Sequence, residues 1–145
     1  MSTNNNLTAT ASVVIHKPAS VVWQALIDPE KIKEYLFGTQ TETDWKPGSP
    51  IFFRGSWQGQ RYEDKGTILK VEKEKLLSYT YWSSMSGKED IPDNYNTVTF
   101  TLAPAEGSTQ VTIVQDNNAS EESRAHSESN WNMVLTTMKE KVEQG

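Results

Sequence analysis

Apolar and polar positions along the 145-residue chain follow three successive patterns. The stretch "LTATASVVIH" (7–16) is rich in β-branched residues and partly alternating, which predicts a first strand. Pro18 then suits the first turn of a helix, where its missing N–H is not needed, and Val22, Trp23, Leu26 and Ile27 share one helical stripe. Asp28 can cap a second helix with Pro29 at its first position. Pro29 also excludes Asp28 from helical geometry, so the chain breaks there. Ile32, Tyr35 and Leu36 form the second apolar face, and Gly38 is a natural stop. Neither helix is long enough to be stable alone in water, so each needs a surface to pack on.

Strand-and-turn punctuation follows, from Thr39 to Gln115. "WKPGSP" (45–50) is a turn, "IFFRGSW" (51–57) a strand, "QGQ" (58–60) a hairpin tip, and 61–74 a long strand with Gly66 as a bulge or bend. A strand over 75–82 leads into a polar loop over 83–94. Strand 95–105 places Val98, Phe100 and Leu102 on one face, "EGS" (106–108) turns the chain, and strand 109–117 returns with Val111 and Ile113 in register. The third pattern is a long helix over 120–144. Ser120 caps it, acidic residues fill its first turn, and Trp131, Leu135, Met138 and Val142 lie on a narrow stripe. Clustered strands between helices indicate an α+β fold with an antiparallel sheet, and the last helix is long enough to cross it.

Composition narrows the function classes. Hydrophobic residues make up 35% of the chain, with five Trp, five Tyr and four Phe, enough to order one domain over 7–145 behind a flexible 1–6. The net charge is −5 with no Lys/Arg-rich stretch, which argues against nucleic acid as a partner. There are no cysteines, so disulfide and thiol chemistry are excluded. "MSTNNNLTAT" has neither a basic nor an apolar leader segment, and no apolar run approaches a membrane span of about 20 residues. A cytoplasmic protein is the expectation. Two Asn-x-Ser/Thr matches, at Asn6 and Asn118, are then chance.

Several stretches together resemble the SRPBCC (START/Bet v-like) superfamily, and within it the activator of heat-shock protein 90 ATPase homologue type of domain. They are "PASVVWQALIDPEKIKEYL", "DWKPGSPIFF", "GTILKVEKEKLLSYTYW" and "TVTFTLAPAEGSTQVTI", with Trp131 and Leu135 in the last helix. Ser49 and Asn130 stand where the family pattern carries glycine. The resemblance runs from about Leu7 to the end. It implies the helix-grip fold: a curved antiparallel sheet gripping the C-terminal helix, two short helices closing one side, and commonly a cavity between them. The break at Asp28-Pro29 would let those helices wrap a corner.

Candidate chemistry is sparse. His16 and His126 have no partner motif, no His/carboxylate set has metal-ligand spacing, and no nucleophile elbow is present, so neither catalysis, metal nor cofactor is expected. Glu63 and Asp64 point to opposite strand faces, and acidic residues are read as solvated. The aromatics say more. Phe53, Gly55 and Trp57 share one strand face, Tyr79 and Tyr81 another, with Trp82 opposed. Trp and Tyr both pack and hydrogen-bond, so such residues can line a cavity. The candidate ligand-binding set is Phe53, Trp57, Tyr79, Tyr81, Asn130 and Trp131, although Trp23 and Trp131 also read as core within aliphatic stripes. Ser127 and His126 lie near the same end of the helix. Arg54 and Arg61 are read as surface residues, with a carboxylate clamp as the sharper alternative. The functional expectation is a carrier or sensor of a small hydrophobic molecule held in an internal cavity, with no chemistry of its own. The alternatives implied by the resemblance are a chaperone ATPase activator and a cyclase/aromatase-type enzyme. The eukaryotic co-chaperones of that family carry an additional N-terminal domain that these residues do not include.

Overall fold

The computed structural model describes residues 7–36, 38–84 and 87–144, without the Trp57 side chain. The expectation for residues 1–6 therefore falls outside the described residues. Strand β1 (Ala9–Ile15) is followed by helices α1 (Ala19–Ile27) and α2 (Pro29–Tyr35) and by six strands: β2 (Gln40–Thr43), β3 (Pro50–Trp57), β4 (Gln60–Glu72), β5 (Leu76–Tyr81), β6 (Asn96–Ala105) and β7 (Ser108–Gln115). Helix α3 (Glu121–Gln144) ends the chain. The seven strands form one antiparallel, curved sheet in the order β1-β7-β6-β5-β4-β3-β2. This is the helix-grip α+β architecture.

Local chemistry explains the elements. Asp28 is extended, and its carboxylate accepts the Glu30 N–H at 3.0 Å, so the α1–α2 break is also the α2 cap. The Tyr35 hydroxyl donates to the Ala25 carbonyl at 2.9 Å and ties the two short helices together. Ser120 caps α3 by accepting the Ser123 N–H at 3.1 Å. Gln58 and Gly59, both at positive φ, turn β3 into β4 at the expected tip.

Two differences from the sequence reading stand out. Strand β2, "QTET", has no large apolar residue to announce it. It forms because β3 offers an edge to pair with, and it buries only Thr41. The register shift in β4 lies between Ile68 and Lys70, not at Gly66. Gly66 instead marks a close approach, since a Cβ there would sit 1.6 Å from the Thr80 carbonyl oxygen of β5.

The core lies between the sheet and the helices. Ile15, Ile51, Ile68, Val98, Val111 and Ile113 from the strands meet Val22 and Trp23 of α1 and Leu135 and Met138 of α3. The stripe of α3 is wider than the sequence suggests, because Val134 is buried as well. Helix α3 also seals an edge. β1 pairs only with β7, so its other side presents bare backbone groups. Glu128 accepts the Thr10 N–H at 3.1 Å, Glu143 accepts the His16 N–H at 2.8 Å, and Lys139 donates to the Val14 carbonyl at 2.7 Å. No helix among the described residues is long and apolar enough to cross a membrane.

Candidate functional site

Strands β3, β4, β5 and β7, helix α3 and the α2–β2 connection line a cavity of about 580 Å³. Strand alternation aims Phe53 of β3 and Tyr79 and Tyr81 of β5 at the same space. Although β4 separates the two strands, sheet curvature brings the Phe53 ring within 5.6 Å of Tyr79 and 5.7 Å of Tyr81. Behind this wall the core residue Phe100, 6.3 Å from Tyr79, links it to Trp131 of α3, which stands edge-on to Phe100 at 5.9 Å. Leu36 and Val134 complete the apolar lining.

Polar groups stand at defined points on this wall. The Trp131 indole N–H donates to Gln115 Oε1 at 2.7 Å, so the ring is fixed to the end of β7. Gln115 donates in turn to Asn118 Oδ1 at 3.3 Å and Ser127 Oγ at 3.4 Å, and the Ser127 hydroxyl donates to the same Asn118 oxygen at 3.0 Å. On the opposite side, Asp64 Oδ2 accepts the Tyr81 hydroxyl at 2.5 Å, while Oδ1 accepts the Ser84 N–H at 2.9 Å and the Ser84 hydroxyl at 3.2 Å. Thr39 and Tyr62 share a hydrogen bond of 2.7 Å at a third point. Gly55 is what admits Tyr62, since a Cβ at 55 would fall 2.4 Å from the Tyr62 hydroxyl oxygen. Tyr79 makes no hydrogen bond through its hydroxyl among the described residues, yet it faces the cavity. Burial raises the pKa of both Tyr79 and Tyr81, and for Tyr81 the Asp64 charge adds to the effect, so both phenols stay protonated at neutral pH.

Five of the six candidate residues come together here: Phe53, Tyr79, Tyr81, Asn130 and Trp131 all line the cavity, Asn130 from its exposed rim. The side chain of Trp57 lies outside the described residues. Trp131 is a cavity wall as well as a packing residue. His126 is exposed and does not line the space. Arg54 is no clamp for a cavity ligand. It turns away from the cavity, onto Glu42 and Glu63, in a separate polar groove that it shares with Arg61. Asp64 corrects the reading of acidic residues as solvated, for it is only 7% exposed. Strand parity was the available signal, since Asp64, Gly66 and Ile68 share a face and Ile68 is core.

A family model described as "Activator of Hsp90 ATPase homolog 1-like protein" matches residues 16–143. The chain belongs to this family. Among solved structures, the family member is similar to the solution structure of ChR145 from Cytophaga hutchinsonii, at 45% identity, with 94% of each chain covered and a TM-score of 0.83. Two more distant structures share the fold. The Aha1 dimer from Colwellia psychrerythraea is 17% identical, covering 94% of this chain and 96% of that one, with a TM-score of 0.72. DynU16, from the dynemicin biosynthetic locus, is 15% identical with a TM-score of 0.78, covering 94% of this chain and 47% of its own. No curated protein matches the sequence.

Proposed function

We propose that this family member binds a small, largely apolar molecule between its sheet and α3, as a carrier or sensor that performs no chemistry on it. The observation that carries the reading is the cavity of about 580 Å³, walled by Phe53, Tyr79, Tyr81 and Trp131 with a few fixed polar groups at its margin. That volume and that balance of lining suit a small-molecule site. Neither histidine lines the space, and the buried tyrosines are held as neutral phenols, which supports binding over proton transfer at neutral pH. The test is a thermal-shift and calorimetric screen with lipids, flavonoid-like and polyketide-like compounds, read together with Trp fluorescence. Saturable binding that perturbs Trp131 emission is the expected result, and Trp131→Phe should lose the fluorescence response. A folded sample that binds no member of the panel refutes the proposal.

A second reading, stimulation of a chaperone ATPase, is supported by the family description and by the name of the Colwellia relative. Pull-down with the chaperone and an ATPase assay separate it from the first, because a carrier leaves the ATPase rate unchanged.

A further inference from the structure

We propose that the cavity selects an organic cation: an apolar or aromatic body ending in an ammonium group that docks on Asp64. This rests on the ligand-binding reading above and adds the charge of the ligand to it. The starting observation is a carboxylate 7% exposed on the cavity wall. Its oxygens are met by the Tyr81 hydroxyl and by the Ser84 N–H and hydroxyl, all neutral donors. Among the described residues no cation pairs with it. Lys65 is engaged with Asp90, and Arg54 with Glu42 and Glu63. A carboxylate removed from water without a counter-charge is costly, and a ligand that supplies the counter-charge recovers that cost.

The remaining lining points the same way. Among the described residues no Lys, Arg or His lines the cavity, so no cation there would compensate a ligand carboxylate or phosphate. Beside Asp64 stand Tyr81, Tyr79 and Phe53, whose rings attract an ammonium group and only weakly oppose its loss of water. Arg54 and Arg61 line an adjoining groove that shares Tyr62 and Ser56 with the cavity. An anionic ligand would have to reach toward Arg61 there and leave Asp64 uncompensated. The net charge of −5 favours approach of a cation as well.

The experiment uses three probes that share one aromatic body: phenylbutylamine, phenylbutanol and phenylbutyrate, titrated calorimetrically into the full chain at pH 7 and moderate salt. The amine should bind at least about tenfold more tightly than the carboxylate, with the alcohol between them. Asp64→Asn is near-isosteric and removes the charge, keeping one acceptor oxygen and turning the other into an NH2 donor. It should weaken the amine about tenfold and leave the alcohol within about twofold. Equal or tighter binding of the carboxylate overturns the inference, as does an amine affinity unmoved by Asp64→Asn. The probe ratio is measured on the unsubstituted protein, so the test stands even if Asp64→Asn fails to fold. If the alcohol binds and the amine has no advantage, the cation inference fails while the cavity reading survives. If none of the three binds, both fail.

Discussion

The close approach at Gly66 makes a sharp prediction for Gly66→Ala. Gly66 is buried in β4, and an added Cβ would lie 1.6 Å from the Thr80 carbonyl oxygen and 2.5 Å from its carbon. Both atoms are backbone, so no side-chain rotation relieves the clash. Restoring van der Waals distance needs β4 and β5 to part by roughly 2 Å. At that separation three hydrogen bonds around the site fail: Lys65 N–H to the Trp82 carbonyl at 3.0 Å, its reciprocal from Trp82 N–H at 2.8 Å, and Thr67 N–H to Thr80 Oγ1 at 2.9 Å. At about 1 kcal/mol net for each bond the loss is about 3 kcal/mol, before any loss of packing around Ile68.

Urea denaturation followed by Trp fluorescence measures it. With an m-value of about 1–3 kcal/mol/M, the midpoint should fall by roughly 1–3 M. Gly59→Ala is the control. Its Cβ meets nothing within 4 Å, and its φ of +81° costs only about 1 kcal/mol. The ligand readout should separate the two as well, because Asp64 and Tyr81 flank the displaced segment whereas the Gly59 tip is remote from them. If Gly66→Ala is no more destabilising than Gly59→Ala, the β4–β5 geometry described above is wrong.

Two further predictions follow from buried polar groups. Asn118, 3% exposed, donates to the Leu7 carbonyl at 2.8 Å and the Gln115 carbonyl at 3.0 Å while accepting from Ser127, so it knots the start of β1, the end of β7 and the first turns of α3. Asn118→Ala should cost about 2–4 kcal/mol by denaturant melts and should speed hydrogen exchange at the amides of the α3 start. Tyr35, Tyr79 and Tyr81 all have pKa values raised above 10.0 in the folded state, chiefly by burial. A raised folded pKa means that their contribution is fully present below the unfolded value near 10 and is lost as pH climbs above it. Stability should therefore fall above about pH 10, by up to roughly 4 kcal/mol per pH unit while all three are ionised only in the unfolded chain. In a Tyr62→Phe/Tyr95→Phe background, which leaves only these three phenols, the 295 nm absorbance should rise together with loss of circular dichroism; a gradual rise near pH 10 in folded protein would refute the assignment.

Much of this architecture was legible because its periods are clean. The Asp28-Pro29 break, the alternating β6 and the Leu135–Met138–Val142 stripe each follow from local chemistry, and each is found where the pattern puts it. The facing of Phe53, Tyr79 and Tyr81 follows from parity alone, although parity does not say that curvature brings β3 and β5 rings into contact across β4. What stayed hidden depends on partners distant in sequence. β2 is a strand only because β3 has an edge to pair. Asp64 is buried only because Tyr81 and Ser84 arrive from beyond the β4–β5 turn with donors for its oxygens.

The cavity itself follows from a change of character along α3. One stripe of this helix runs through Ser127, Asn130, Trp131 and Val134 and continues through Leu135, Met138 and Val142. The second half is apolar and fills the core to near-zero exposure at Leu135 and Met138. In the first half, Ser127 and Asn130 are too short and too polar to reach the opposing aromatic wall. Trp131, which could reach it, is held back at Gln115 by its indole hydrogen bond. The helix is thus anchored at its C-terminal half and along the β1 edge, while its N-terminal half stands off Phe53, Tyr79 and Tyr81. Larger apolar residues at 127 and 130 would occupy part of this space. Short polar ones there leave a space walled by apolar rings, in which the buried Asp64 carboxylate has no counter-charge among the described residues. Those two features favour an occupant that brings both apolar surface and positive charge.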